Sequence, residues 1–274
     1  MHQRWDLRFT DIDYLPRASE RDPQRFLYAT RIGLGVRIEG KGESVGSRER
    51  DGERTSALRF WSDSAWSLIR VGSGYWRYIP VAEGVRFLTL YDYETRLGLV
   101  GRFVDAVAFR PLLGWATAWS FDRLRLWLEH GVEPELAFER TLTHWIARAA
   151  LAFVWLYHGI VPKLLASSGE IEIALRTGVP AAIAPSFVLA AGVGEVLLAL
   201  ALLVARDARP FLILSGAVGV GLAVVTGALD PKLLTEPFQP VTIGVAMAAL
   251  AVIALLTARD LPTARNCLRQ VPTK

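Results

Sequence analysis

Residues 184–205 read APSFVLAAGVGEVLLALALLVA, an apolar run broken by a single charge, Glu195, near its centre. A membrane-spanning helix needs roughly 20 apolar residues, and this run is long enough. In hydrocarbon every backbone polar group must be satisfied internally, which a helix does within one segment. A carboxylate in mid-span is expensive and marks a functional position by default. The run therefore predicts a membrane helix and singles out one residue for explanation.

Three further apolar runs accompany it: Trp145–Leu165 (WIARAALAFVWLYHGIVPKLL), Pro210–Leu229 (PFLILSGAVGVGLAVVTGAL) and Val241–Ala258 (VTIGVAMAALAVIALLTA). The short connections predict an up-down-up-down four-helix bundle. Residues 1 to about 143 are instead rich in Arg, Asp, Glu and aromatics, so the 52% hydrophobic average hides a split. The expected organisation is an α+β cytoplasmic domain over 1–135, four transmembrane helices over 143–260, and a cytoplasmic tail over 261–274.

The formal net charge is +4. In a membrane protein this reads as topology and contact with anionic headgroups. No basic run with interleaved aromatics suggests nucleic acid as a partner. Cys267 is the only cysteine, which excludes an internal disulfide, a thiol pair and a cysteine-rich metal site. No metal, haem or nucleotide motif is visible. Gly33-Leu34-Gly35 lies in an expected strand, without the strand–turn–helix setting of a dinucleotide fold. The opening Met-His-Gln-Arg-Trp-Asp lacks the apolar core of a signal peptide, so the first span is expected to serve as its own insertion signal.

Lys and Arg mark the cytoplasmic side of a membrane protein. Arg140 precedes the first span and Arg148 lies in its first turn, Arg206 and Arg209 join the second to the third, and Arg259, Arg265, Arg269 and Lys274 follow the fourth. All fall on one side if both termini are cytoplasmic, in the inner membrane of the cell. The opposite loops hold Glu170, Glu172, Arg176, Asp230, Lys232 and Glu236, with no basic excess.

On a helix, the neighbours of Glu195 at three and four positions are Ala191, Gly192, Leu198 and Ala199. Three are small, which is how membrane helices meet. Glu195 is thus expected to face another helix. At 1.5 Å per residue, His158 lies roughly 10 Å, and Glu195 roughly 16 Å, below the outer ends of their spans. A His158–Glu195 pair is one expectation; a hydrogen bond from Glu195 that fixes helix register is the other. Lys163 sits above them, able to reach the outer interface. In the loop SSGEIEIALRTG, Ser167 and Glu170 fit a capping box and Gly178 a helix stop. A short surface helix roofing the bundle is expected there, with Glu170 and Arg176 as gating candidates and Glu172 on a solvated face. The candidate ligand-binding residues are Glu195, His158, Lys163, Tyr157, Trp155 and Glu170; no catalytic residue can be named.

The soluble half predicts strands at 4–15, 24–38, 55–61, 67–70, 75–81 and 85–93, with a tight hairpin at Ala82-Glu83-Gly84. A long helix over 97–129 follows, broken or kinked at Pro111 and ended by Gly131 and Pro134. Trp115, Trp119 and Trp127 could rest on headgroups or pack under the sheet.

ARAALAFVWLYHGIVPKLL resembles the DoxX-like membrane proteins, whose first span ends in a Tyr-x-Gly-x-x-Pro-Lys pattern and whose second carries a Gly-x-Glu-like element. Here these are Tyr157, Gly159, Pro162 and Lys163, then Gly194-Glu195. His158 stands where relatives commonly have an acidic residue. HQRWDLRF (2–9), RFLTLYDYE (86–94) and FRPLLGWATAWSFDRLRLWLE (109–129) resemble the START-like (SRPBCC, helix-grip) superfamily. Such a domain opens with a strand and helices upstream of the point where Met1 falls, so the resemblance implies either a misassigned start or an N-terminally incomplete domain, and no closed ligand cavity is assumed. The first resemblance implies an accessory subunit of a membrane redox system, partnered by a redox protein and binding a quinone or a small hydrophobic or sulfur ligand. The second implies capture or transfer of a lipid or other hydrophobic ligand. A structural or assembly protein without a small ligand is the third reading.

Overall fold

The computed structural model describes residues 2–17, 19, 22–32, 35–235 and 240–268. They form two compact units, one from Met1–Glu135 with Pro262–Lys274 and one from Leu136–Leu261.

The first unit opens on a helical turn, α1 (His2–Trp5), and a six-stranded antiparallel sheet whose spatial order follows the chain. The strands are β1 (Asp11–Tyr14), β2 (Arg25–Ile32), β3 (Val36–Arg50), β4 (Glu53–Trp61), β5 (Ile69–Val81) and β6 (Gly84–Thr95). The strand expected at 4–15 is divided: Asp6 is buried and accepts from the Arg8 backbone N–H (3.1 Å) and guanidinium (2.7 and 2.9 Å), which curls the chain before β1 begins. Burial alone would raise the Asp6 carboxyl, but Arg8 and His2 overcome it and hold it well below the usual carboxylate range.

The strand expected at 24–38 is cut in two, with Gly35 at a φ of 78° just before β3. Gly33 and Leu34 lie outside the described residues, as do Glu236, Arg269 and Lys274. β3 then runs to Arg50 through GKGESVGSRER, whose glycines and charges resemble a loop. The pairing register explains them. Gly40 faces Tyr28 and Gly42 faces Phe26, and each aromatic ring occupies the space a Cβ would need. Asp51-Gly52, at φ 54° and 78°, closes β3 on β4 as a two-residue turn with both centres left-handed. The segments 67–70 and 75–81 merge into β5, and Ala82-Glu83 joins β5 to β6.

The long helix is present as α2 (Gly98–Val104), a π turn at Asp105–Phe109 and α3 (Arg110–His130). Proline has no N–H and clashes with the carbonyl four residues back. The π turn just before Pro111 widens the helix there, so the axis continues where a break was expected. Gly131, at a φ of 66°, ends it. Aromatic side chains fill the space between α3 and the sheet. Phe121 packs on Trp5 (5.6 Å between ring centres) and Phe87 (4.6 Å), Trp76 on Phe87 (6.0 Å), and His2 on Trp5 (4.8 Å). Trp119 is buried, Trp127 lies under the Arg4 guanidinium at 4.8 Å, and Trp115 is about half exposed. Asp122, on α3, accepts from the Thr263 N–H (2.8 Å) and the Asn266 amide (3.0 Å), and the Cys267 thiol donates to the Ala118 carbonyl at 3.1 Å.

The second unit is helical: α4 (Pro134–His158) running into a π segment at Gly159–Leu165, then α5 (Ser168–Arg176), α6 (Ala184–Val204), α7 (Arg209–Leu229) and α8 (Pro240–Leu256). Pro134–Leu165, α6 and α7 are long and apolar enough to cross a membrane; α8 is apolar but 17 residues long. Only about 28–33% of the three long spans' apolar windows is buried within the unit, so most of their side chains face outward, as they do when lipid is the solvent. Where helices meet, small residues line the contact. Gly219 and Gly244 bring α7 and α8 together, and a Cβ on Gly244 would lie 2.7 Å from the Gly219 carbonyl.

Candidate functional site

The membrane site starts from two glycines. A Cβ on Gly159 would lie 2.7 Å from the Gly192 carbonyl, and one on Gly192 would lie 3.0 Å from the Gly159 carbonyl. The absence of both side chains lets the π segment sit backbone to backbone on α6. The π geometry has a local cause: Pro162 lies inside the segment, where an α-helix would have to break. On α6, Val188, Gly192, Ala199 and Leu202 are buried along one stripe, and Glu195 sits in that stripe. Its Cβ lies beside Gly159, so His158 and Glu195 stand at nearly one height and not a full turn apart.

The carboxylate turns to Lys163. Glu195 Oε1 is 3.2 Å from Lys163 Nζ, and the side chains are 11% and 12% exposed. Lys163 Nζ also lies 3.5 Å from Glu170 Oε2. That contact replaces the expected capping box: α5 begins after Ser167 with no side-chain cap. Glu170 spends its charge on an ammonium, which gains more from it than a backbone N–H would. Glu195 Oε2 is buried and has no hydrogen-bond partner among the described residues.

The other candidates fall elsewhere. Among the described residues no hydrogen bond or ion pair joins His158 to Glu195. His158 is half-buried, with its ring edge-on to Tyr157 at 6.0 Å. Tyr157 is exposed on the outer face beside Phe153. Trp155 is buried and donates its indole N–H to the Ser215 hydroxyl on α7 at 2.6 Å, a helix-packing role. Arg176 pairs with Asp230 at 3.2 Å, off the axis of a hydrogen bond. Glu172 is exposed.

Sequence reasoning counted Arg148 only among the basic residues that mark the cytoplasmic side. It is buried, and its guanidinium donates to the carbonyls of Leu202 and Ala205 at the C-terminal end of α6. His144, one turn earlier and also buried, contacts the Ala254 carbonyl of α8 at 2.8 Å. Helix ends leave such carbonyls unmatched. The signal was present: an arginine between apolar residues in WIARAAL requires a partner.

Residues 152–252 match the model of the DoxX-like family. Over 180 residues the chain is 44% identical to the uncharacterized membrane protein YndG of Bacillus subtilis (strain 168), covering 64% of this chain and 67% of that protein. No solved structure matches the chain.

Proposed function

The chain belongs to the DoxX-like family of membrane proteins, and we propose that its helical unit holds a small, largely apolar ligand of the quinone class against Glu195, as an accessory subunit of a membrane redox system. The unmatched carboxylate oxygen carries this reading. Lys163 engages Oε1, while Oε2 is buried without a partner. A buried polar atom without a partner costs about 1–3 kcal/mol, and more if charged. A ligand that donates a hydrogen bond there removes that cost. A quinol hydroxyl is such a donor, and the Lys163 ammonium suits the carbonyl of the oxidised form. Electrons would come from a partner protein.

The proposed topology has four spans with both ends cytoplasmic. The segment after α8 packs on α3 of the first unit through Asp122, which favours an even number of crossings between them. α8, at 17 residues, spans about 26 Å, close to the hydrocarbon thickness of a thin bilayer. Transfer of a lipid by a helix-grip domain has less support, because aromatic side chains fill the space beneath α3.

The test is mass spectrometry of small molecules retained by protein extracted gently from native membranes. Wild type should carry a quinone, and Glu195→Gln should lose most of it. A wild-type preparation without quinone would sink the reading.

A further inference from the structure

We propose that residues 98–112 of the first unit dock on an anionic lipid surface, with the apolar face of α2 entering the headgroup region and the arginine cleft beside it taking lipid phosphate. The helix is one-sided in an unusual sense. Gly101 and Asp105, four apart, are buried, while Leu99 (82% exposed), Phe103 (69%), Val107 (64%) and Leu112 (63%) point outward. An exposed row of large apolar side chains marks an interaction surface.

Its flank is basic. A cleft of about 620 Å³ is lined by Arg70, Arg102 and Arg110 together with Tyr93, Glu94 and Asp105. Buried Asp105 anchors the floor, accepting from the Tyr93 hydroxyl at 2.6 Å and pairing with Arg110 at 2.7 Å. Arg70 pairs with Glu94. Arg102 is exposed, with no ion pair among the described residues. Three guanidiniums against two carboxylates leave one positive charge over, at the edge of the apolar face.

An apolar stripe of Leu, Val and Phe edged by Arg is the pattern of a helix lying in a membrane interface. The charge complements anionic headgroups. The chain tethers this unit to the apolar helices, so docking on the bilayer they enter is intramolecular and needs little intrinsic affinity. The inference is independent of any ligand at Glu195.

The experiment uses the full chain in vesicles, with Cys267→Ser and a fluorophore on Phe103→Cys. Lipids brominated near the headgroup serve as quenchers. Quenching should be strong in phosphatidylcholine mixed with phosphatidylglycerol and weaker in phosphatidylcholine alone, and a label on Glu83→Cys should stay unquenched. Arg102→Glu should lower the docked fraction in the mixed vesicles about fivefold. Equal quenching at 83 and 103, or none at 103, would overturn the proposal, as would preferential cross-linking of two copies through position 103. Leu99→Cys carries the label on the same face should Phe103→Cys fold poorly.

Discussion

The helical unit buries charge at two levels, and it treats the two differently. Toward the C-terminal ends of α6 and α8, Arg148 and His144 face helix-end carbonyls that no intrahelical N–H can satisfy. Both side chains at that level are matched within the protein. Beside the π segment, Glu195 meets one ammonium and keeps a buried oxygen without a partner. A satisfied buried charge holds helices together. An unsatisfied one needs a proton, a water or a ligand, and evolution has little structural reason to keep it in hydrocarbon.

The largest effect should come from the satisfied end. Arg148→Ala leaves the Leu202 and Ala205 carbonyls unmatched, and two orphaned acceptors cost about 3 kcal/mol. Unfolding in mixed micelles by titrated denaturing detergent would measure this. Arg148→Lys should recover only part, because an ammonium lacks the planar fork that reaches both carbonyls. An average interhelical hydrogen bond in a membrane is worth about 0.6 kcal/mol. A loss no larger than that would end the contrast between the two levels.

What was legible beforehand follows the same contrast. The apolar runs and the small residues around Glu195 could be read, because composition and helical spacing are local; Lys163, expected to reach the outer interface, instead turns to Glu195 and Glu170. The partner of Glu195 could not. Its choice of Lys163 over His158 depends on the π segment that Pro162 imposes and on the glycine contact between Gly159 and Gly192. The role of Arg148 was lost for a related reason: charge counting assigns a side to an arginine but no acceptor. In the sheet, β3 beyond Ile38 was missed because its glycines signal turns, and only the register shows the aromatic rings lying across them.

A buried carboxylate outside the membrane sharpens the comparison. Asp6 is more deeply buried than Glu195 but fully engaged by Arg8 and His2, which hold its carboxyl well below the usual range. A lowered folded-state value means the unfolded chain binds the proton first. The stabilisation is therefore complete above the unfolded value, about 3.9, and is lost as pH falls below it toward the folded value. Asp6→Asn should cost about 2 kcal/mol at neutral pH, the worth of hydrogen bonds to a charged group, and should flatten this acid dependence. Hydrogen exchange across residues 2–9 as a function of pH would show it. An unchanged acid profile in Asp6→Asn would mean that another group controls the segment.

The smallest effect on stability should be that of Glu195→Gln, and its smallness is informative. Were Glu195 a register-fixing residue, removing its charge would strand Lys163 in a low-dielectric setting, a loss of about 3–5 kcal/mol for a broken buried pair. Lys163 keeps Glu170 at 3.5 Å, with the Glu170 side chain 26% exposed. The ammonium is therefore never left alone, and the amide sheds a charge whose second oxygen had no partner. The expected change is within about 1 kcal/mol in the same detergent unfolding, since exposed or replaceable pairs contribute little. Glu170→Gln in the Glu195→Gln background removes the fallback and should then cost more than the sum of the two single changes. Strict additivity would show that Lys163 relied on neither carboxylate in this way, and a loss of about 3–5 kcal/mol in Glu195→Gln alone would end the claim that Glu195 is kept for something other than the fold.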